Sequence, residues 1–520
     1  MLVSNTSTAL RLLPIPLVLI IYCIFSRFHG YNNASRYSPP PLVSTNAPPS
    51  SNTKAAAVAS STNFTETKSN SSPIVSSFWK DLAIALENAR PHCSPLSVED
   101  GHPTDSETTF EPVNTTKRPP DRLVDFTDKH EIALLRAHYV MRTSAHRLAG
   151  HLIFSKGKQG IVTTTDTKHI PVSLVSLRML RRTGCQLPVE VFMEDWTDYD
   201  PIICEVILPS LKAACVVLSE ITEVSSDYEE STSYRLKPLA ILFSSFQHVL
   251  FLERDAFPAQ DPVALFSTAP YTVHGLVAWP DLFGLAVSEH YYHIAAIPYY
   301  SPSSRASTDS GIILMDKDKH RESLLMMVYY NHYGPDYYYP LLCQGSHSAG
   351  SKETIIQAAM AVEAPWYQVK TGVTGLGYFE DGEYRLSGMA QMDPRTDYQY
   401  KPPSRSHTHP EDRWEAADLE DGGRVPTAPK PMFVHQNMHE LDPAHILSTG
   451  GTNAKTSDGK YTRMWGDLKG TVKMFGYDIE RRMWEVVIEE GCRDDAELES
   501  CANLREFFVD VFGLLDSVDE

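Results

Sequence analysis

The stretch Tyr234–Pro262 (YRLKPLAILFSSFQHVLFLERDAFPAQDP) constrains the fold more than any other part of the chain. Leu236, Leu239, Ala240, Leu242, Phe243 and Phe246 recur at helical spacing. His248 to Leu252 is then an apolar run of strand length, too short for a second helix. Two carboxylates, Glu253 and Asp255, stand at its end, one residue apart. Acids there belong to the C-terminal edge of a strand, and in an open α/β sheet that edge is where ligands bind. A pair of carboxylates on one turn suits a hard cation such as Mn²⁺ or Mg²⁺, which in turn neutralises a diphosphate. The structural alternative is a plain acidic turn.

A parallel sheet is expected around this stretch. Gly160 to Thr165 reads as a first strand, Val172 to Arg182 as a helix stopped by Gly184, and Leu187 to Phe192 as a second strand. A dinucleotide-cofactor fold is disfavoured, because no G-x-G-x-x-G follows the first strand. Thr163 and Thr164, at that strand's C-terminal end, are candidate nucleotide contacts or ordinary capping threonines. Late in the chain, Met432 to Val434 forms an apolar run that ends in His435. That histidine is the expected third ligand beside Glu253 and Asp255.

The chain has 520 residues, 46 Lys and Arg against 65 Asp and Glu, and a net charge of −19. That balance argues against nucleic acid as a partner. The N-terminal region reads as a cytoplasmic tail over 1–11, a transmembrane signal-anchor over 12–26 and a disordered luminal stem over 27–75. Leu12 to Phe25 is apolar but shorter than the roughly 20 residues a thick bilayer needs, which suits a thinner membrane of the early secretory path. No small-x-small cleavage site follows it. The stem is rich in Ser, Thr, Pro and Ala, and glycosylation sequons stand at Asn33, Asn63, Asn70 and Asn114. Residues 76–155 read as a helical neck, with Phe78, Trp79, Leu82, Ala85 and Leu86 on one apolar face and Ile132, Leu134, Leu135, Ala137, Tyr139 and Val140 on another. The catalytic domain is expected over 156–520, with a polar insert at about 394–428. Of eight cysteines, Cys204 with Cys215 and Cys492 with Cys501 are the local pairs expected to bridge in an oxidising lumen.

The central block resembles the nucleotide-sugar site of the fungal Golgi α-mannosyltransferases that branch mannan (glycosyltransferase family 71-like). There, a "K-x-L-A-x-L-x-S-S-F" helix leads into "L-D-x-D-N-x-P", and Lys237, Leu239, Ala240, Leu242, Ser244, Ser245, Phe246, Leu252, Asp255 and Pro258 match. Glu253 stands where the family has Asp. A second block, Tyr329 to Ala359, resembles "N-x-x-x-d-Y-Y-Y-x-L-l-x-Q-G-x-x-G-e-G-D-K-E-T-F" at Asn331, Tyr337 to Tyr339, Leu342, Gln344, Gly345, Gly350 and Lys352 to Thr354, with Ser351 in place of Asp. The likeness extends over about Lys158 to Pro443.

The resemblance implies a GT-A-like, Rossmann-related domain and a type II Golgi membrane enzyme. Such an enzyme moves mannose from GDP-mannose to mannose of mannan or N-glycans in α-1,2 linkage, with retention and a divalent metal, and a Golgi enzyme complex is among the partners the resemblance implies. An α-1,3 transferase of the same family, or a catalytically inactive Golgi scaffold with this fold, remains the alternative. On this reading Glu253, Asp255 and His435 hold the metal, Thr163, Thr164, Lys237 and Lys352 meet the donor, and Asp309 and Asp281 are the candidate catalytic acids. Tyr338, Tyr339, Gln344 and Glu353 are the candidate acceptor contacts. Each tyrosine reads equally as core, Trp279 in the Trp-Pro-Asp turn as core or sugar platform, and Asp309 equally as a turn cap.

Overall fold

The computed structural model describes residues 73–102, 121–222, 233–300, 304–347, 349–400, 428–448, 453–493 and 497–513. The expected anchor over 12–26, the stem up to residue 72, the sequons at Asn33, Asn63, Asn70 and Asn114, and most of the insert at 394–428 lie outside them, whereas residues 73–75, expected in the disordered stem, begin a helix. Among the described residues no helix is long and apolar enough to cross a membrane.

The elements that build the site are, in chain order, α1 (Pro73–Asn88), α2 (Asp128–Leu148), β1 (Ser155–Thr164), α3 (Ile170–Arg182), β2 (Val189–Met193), β3 (Ala213–Val217), α4 (Ser233–Phe243), β4 (Phe246–Leu252), β5 (Ala256–Pro258), β6 (Leu276–Gly284) and β7 (Ala306–Asp316). They continue with α5 (Arg321–His332), α6 (Thr354–Ala361), β8 (Tyr367–Gln368), β9 (Thr374–Glu380), β10 (Glu383–Met392), β11 (Pro431–His435), α7 (Ile479–Gly491) and α8 (Glu499–Phe512). A seven-stranded sheet runs β8-β6-β7-β4-β1-β2-β3. Its strands are parallel apart from β7, which is antiparallel to both β4 and β6. A second, antiparallel sheet runs β9-β10-β11-β5. The molecule is therefore mixed α/β.

The end of β4, Val249 to Leu252, reads as an unbroken apolar run because it lies inside the sheet with both faces covered, and Val249 to Phe251 are fully buried. Its neighbour β1 comes so close that a Cβ on Gly160 would stand 2.2 Å from the Phe246 ring. Only glycine fits there.

α3 is buried on two faces. Leu174 and Leu177 join the core cluster of the sheet, whereas Val175 and Met179 join the cluster of the C-terminal helices. Arg178 and Arg182 reach Glu485, Glu489 and Glu490 on α7, with 2.7 Å for Arg178 to Glu489 and 3.0 Å for Arg182 to Glu485.

The residues read as a neck have no core of their own. Phe78, Leu82, Leu134 and Met141 share a cluster with Tyr329, Tyr330 and Tyr338. The buried face of α2 is also rotated from the expected one: Leu134, Ala137, His138, Met141, Ala145 and Leu148 point inward, while Ile132 and Tyr139 are exposed. The reason is polar. His138 occupies a core position because Tyr330 Oη satisfies its Nε2 at 2.8 Å, so an apolar count along the helix misses it. Cys204 is bridged to Cys215 and Cys492 to Cys501; Cys93, Cys185 and Cys343 are free.

Candidate functional site

Strand register brings the two carboxylates and the histidine together. β4 ends at Leu252, and Glu253-Arg254-Asp255 turns the chain into β5, the Ala256 N–H donating to Glu253 O at 2.9 Å. β5 pairs with β11 so that Ala256 faces His435 and Phe257 faces Val434. Ligand atoms of Glu253, Asp255 and His435 all lie within 4.8 Å of one another. His435 Nε2 stands 3.3 Å from Glu253 Oε2 and 3.5 Å from Asp255 Oδ1.

The histidine is aimed from behind. Asp309 on β7 lies 3.0 Å (Oδ1) and 3.1 Å (Oδ2) from His435 Nδ1. Asp309 is itself held by the Gly311 N–H on Oδ1 and Gln391 Nε2 on Oδ2, both at 2.8 Å. With Nδ1 committed to a carboxylate, Nε2 is buried, has no hydrogen bond, and faces two acids. That is how a metal-ligating imidazole is normally oriented, and the donor set of one imidazole and two carboxylates suits Mn²⁺, Mg²⁺ or a similar divalent ion.

Glu253 divides its oxygens. Lys237 Nζ on α4 lies 2.5 Å from Oε1, leaving Oε2 on the His435 side. Burial opposes ionisation of Glu253, but Lys237 and then His435 outweigh it and hold the carboxyl well below the usual range. Burial likewise opposes charge on His435, yet Asp309 and Asp255 together raise the imidazole well above its ordinary value. A proton therefore occupies the histidine when no cation does. Cation binding at Nε2 is expected to release it, so affinity should fall about tenfold per pH unit below the raised pKa. Calorimetry in two buffers of different ionisation enthalpy counts the protons, and a count of zero would refute the competition.

Gly311 makes the arrangement possible. A Cβ there would lie 2.4 Å from His435 Cε1 and 2.7 Å from Nε2. Gly311→Ala is expected to displace the ring and weaken divalent-cation binding about 10–100-fold, the cost typical of lost outer-shell support. Calorimetric titration with Mn²⁺ checks it, with circular dichroism confirming that the fold is retained.

The cluster opens on a cavity of about 410 Å³. Thr164, Lys237, Glu253, Asp255, Asp281, Asp309, Lys352 and His435 all line it. Lys237, expected on the donor, is instead engaged by Glu253 and by Ser310, whose Oγ is 2.9 Å away. Thr163 is buried within β1 and does not line the cavity, whereas Thr165 and Asp166 do. The sequence marks Gln391 only as a family-like position in Gly388 to Gln391, and it gives no role to Gln391 or to Gly311. The acid-small-Gly pattern at Asp309 to Gly311 was the available signal, but its partner is 126 residues away.

The four expected acceptor contacts lie in the core instead. Tyr338 is fully buried with its hydroxyl on Tyr329 Oη at 3.0 Å, and Tyr339 donates to Asn331 Oδ1 at 2.9 Å. Gln344 accepts from the Arg122 N–H at 2.8 Å and donates to Ala286 O at 2.9 Å. Glu353 takes Arg305 at 2.7 Å and the Ser307 hydroxyl at 2.8 Å. Aromatic runs and a Gln-Gly turn look alike in sequence whether they face a sugar or a core. Trp279 is likewise core, its Nε1 donating to Met392 O at 2.8 Å.

The family model described as "Mannosyltransferase putative" matches residues 158–305 and 297–393, which contain the Glu253–Asp255 turn, Asp281 and Asp309. Alpha-1,2-mannosyltransferase MNN21 of Candida albicans is 32% identical over 400 residues, and MNN24 of the same organism is 36% identical over 277. Over these segments the chain is similar to the fungal α-1,2-mannosyltransferases. It also matches Alpha-1,2-mannosyltransferase MNN2 of Saccharomyces cerevisiae at 27% identity over 64% of itself and 64% of that protein. The MNN21 match covers 66% of the chain and 59% of the relative; for MNN24 the shares are 47% and 39%. The chain thus spans less than two thirds of these relatives. Among solved structures, the glycosyltransferase GlyE of Streptococcus pneumoniae shares 13% identity, with a TM-score of 0.27 over 41% of this chain and 45% of that one. The galactosyltransferase LgtC shares 14%, also at 0.27, over 40% and 73%.

Proposed function

We propose that the protein is a GT-A-like, divalent-cation-dependent mannosyltransferase. It moves mannose from GDP-mannose to mannose residues of mannan or N-glycans, in α-1,2 linkage and with retention. The observation that carries this reading is the Glu253–Asp255–His435 cluster, set at the C-terminal edge of β4 in a cavity of about 410 Å³. Similarity to the mannosyltransferase family model supports mannose as the sugar, and the relatives, which are α-1,2-mannosyltransferases, support the linkage. The short apolar stretch over 12–26 supports a type II Golgi anchor with the catalytic domain luminal.

Glu253 Oε2, Asp255 and His435 Nε2 would hold the cation; when bound, it supplies Lewis-acid charge that stabilises the departing diphosphate. The protein's own part is positional. Lys237 fixes one oxygen of Glu253 and so turns the other inward. Asp309, held by Gln391 and the Gly311 N–H, keeps the His435 proton on Nδ1 and leaves Nε2 free to coordinate. Asp309 acts in this scheme as a positioning residue.

Incubating the purified chain with GDP-mannose and an α-linked mannooligosaccharide tests the reading. Mannose transfer that requires Mn²⁺ or Mg²⁺ and stops with chelator is expected. A folded chain that neither transfers mannose nor binds the nucleotide would overturn it.

A further inference from the structure

The cavity holds a second pair of charges that takes no part in the cation cluster. Asp281, on β6, and Lys352, just before α6, are 8% and 4% exposed and both line the wall. Lys352 Nζ stands 3.4 Å from Asp281 Oδ2. That is longer than the roughly 2.7–2.9 Å of a tight charge-assisted hydrogen bond. The ammonium also donates to His347 O at 2.7 Å and lies 5.0 Å from the centre of the Phe283 ring, while an Asp281 oxygen accepts the Leu282 N–H at 2.7 Å. Lys has three donors and a carboxylate has about four lone-pair sites. The contacts named leave capacity on both groups, side by side at the cavity wall.

The strand is deformed to put Asp281 there. β6 loses register with β7 between Ala278 and Trp279 and again between Pro280 and Gly284, so Asp281 lies in a bulged segment. Bulges next to active sites re-aim side chains. Trp279 turns into the core, whereas Asp281 meets the cavity. Gln391 Nε2 then ties this segment to the cation cluster, donating to Pro280 O at 2.7 Å and to Asp309 Oδ2 at 2.8 Å.

Sheet order gives the pair its direction. The cation cluster hangs from β4, with β1 and Thr164 next to it on one side and β7 then β6 and Asp281 on the other. Neighbouring strands are about 4.8 Å apart, so Asp281 lies roughly two strand spacings from the cation, away from β1. A sugar nucleotide with its diphosphate at β4 and its nucleoside toward β1 carries its sugar toward β6. We infer that Asp281 and Lys352 form the subsite for the hydroxyls of the transferred sugar, an inference that rests on the mannosyltransferase reading. The carboxylate accepts from one hydroxyl and the ammonium donates to the oxygen beside it.

The test is titration calorimetry of the full chain with Mn²⁺ and no acceptor, comparing GDP with GDP-mannose. For Asp281→Asn and for Lys352→Met, GDP affinity should stay within about twofold of the parent while GDP-mannose affinity falls about tenfold or more. Equal loss for both ligands would move the pair to the nucleotide, and unchanged GDP-mannose affinity in both variants would remove it from the donor; either overturns the inference. Should Asp281→Asn fail to fold, Lys352→Met decides alone. A folded parent that binds neither ligand overturns the mannosyltransferase reading and this subsite together, whereas a parent that binds both isolates the fate of the subsite.

Discussion

Asp255→Asn is expected to lower mannose transfer by about 10²–10³-fold, the loss that follows removal of one group stabilising charge in a transition state. The substitution keeps the shape of the side chain and removes one negative charge from the cluster. The backbone around it does not depend on that charge: Asp255 O accepts the Gln436 N–H at 3.0 Å, and β5 pairs with β11 through Ala256 and Phe257. Stability should therefore change little, and higher Mn²⁺ should recover part of the rate. Asp309→Asn should weaken cation binding by a smaller factor, about 10–100-fold, because Asp309 acts through His435. Initial rates against Mn²⁺ concentration for both variants decide the matter. A parent-like rate for Asp255→Asn would remove the cation cluster from the chemistry.

The acidic pair was legible because its signal is local: an apolar run of strand length must end, and Glu253 and Asp255 stand where it ends. His435 was also legible, as a histidine closing a buried strand. What placed it beside Asp255 was the antiparallel register of β5 with β11, which only the assembled sheet specifies. Asp309 was visible as an acid before a glycine, but its role depends on a ring that a Cβ at Gly311 would exclude. Two of the departures from the family pattern, Glu253 and Ser351, meet in space. Lys237 Nζ lies between them, 2.5 Å from Glu253 Oε1 and 3.4 Å from Ser351 Oγ. No spacing along the chain joins residues 237, 253 and 351, so this contact could not be read beforehand. The tyrosine block failed for the opposite reason: burial of aromatic side chains depends on what covers them, and here α1 and α2 supply that cover.

Glu353→Ala is expected to destabilise the fold by about 3–5 kcal/mol, the usual cost of leaving one partner of a buried ion pair uncompensated. Arg305 and Glu353 side chains are 0% and 1% exposed, with Arg305 Nη2 at 2.7 Å from Oε2. The other carboxylate oxygen accepts the Ser307 hydroxyl at 2.8 Å and the Thr308 N–H at 3.0 Å. Glu353 thus pins the first residues of β7, directly before Asp309, and its removal strands a guanidinium in the core. An acceptor contact would behave differently: its loss would raise KM for the oligosaccharide and leave the urea midpoint where it was. Urea unfolding of the parent and Glu353→Ala separates the two roles. A large fall in midpoint makes Glu353 the anchor of the strand that aims His435, and loosening of β7 should then weaken Mn²⁺ binding as well. An unchanged midpoint with a raised KM would return Glu353 to the acceptor.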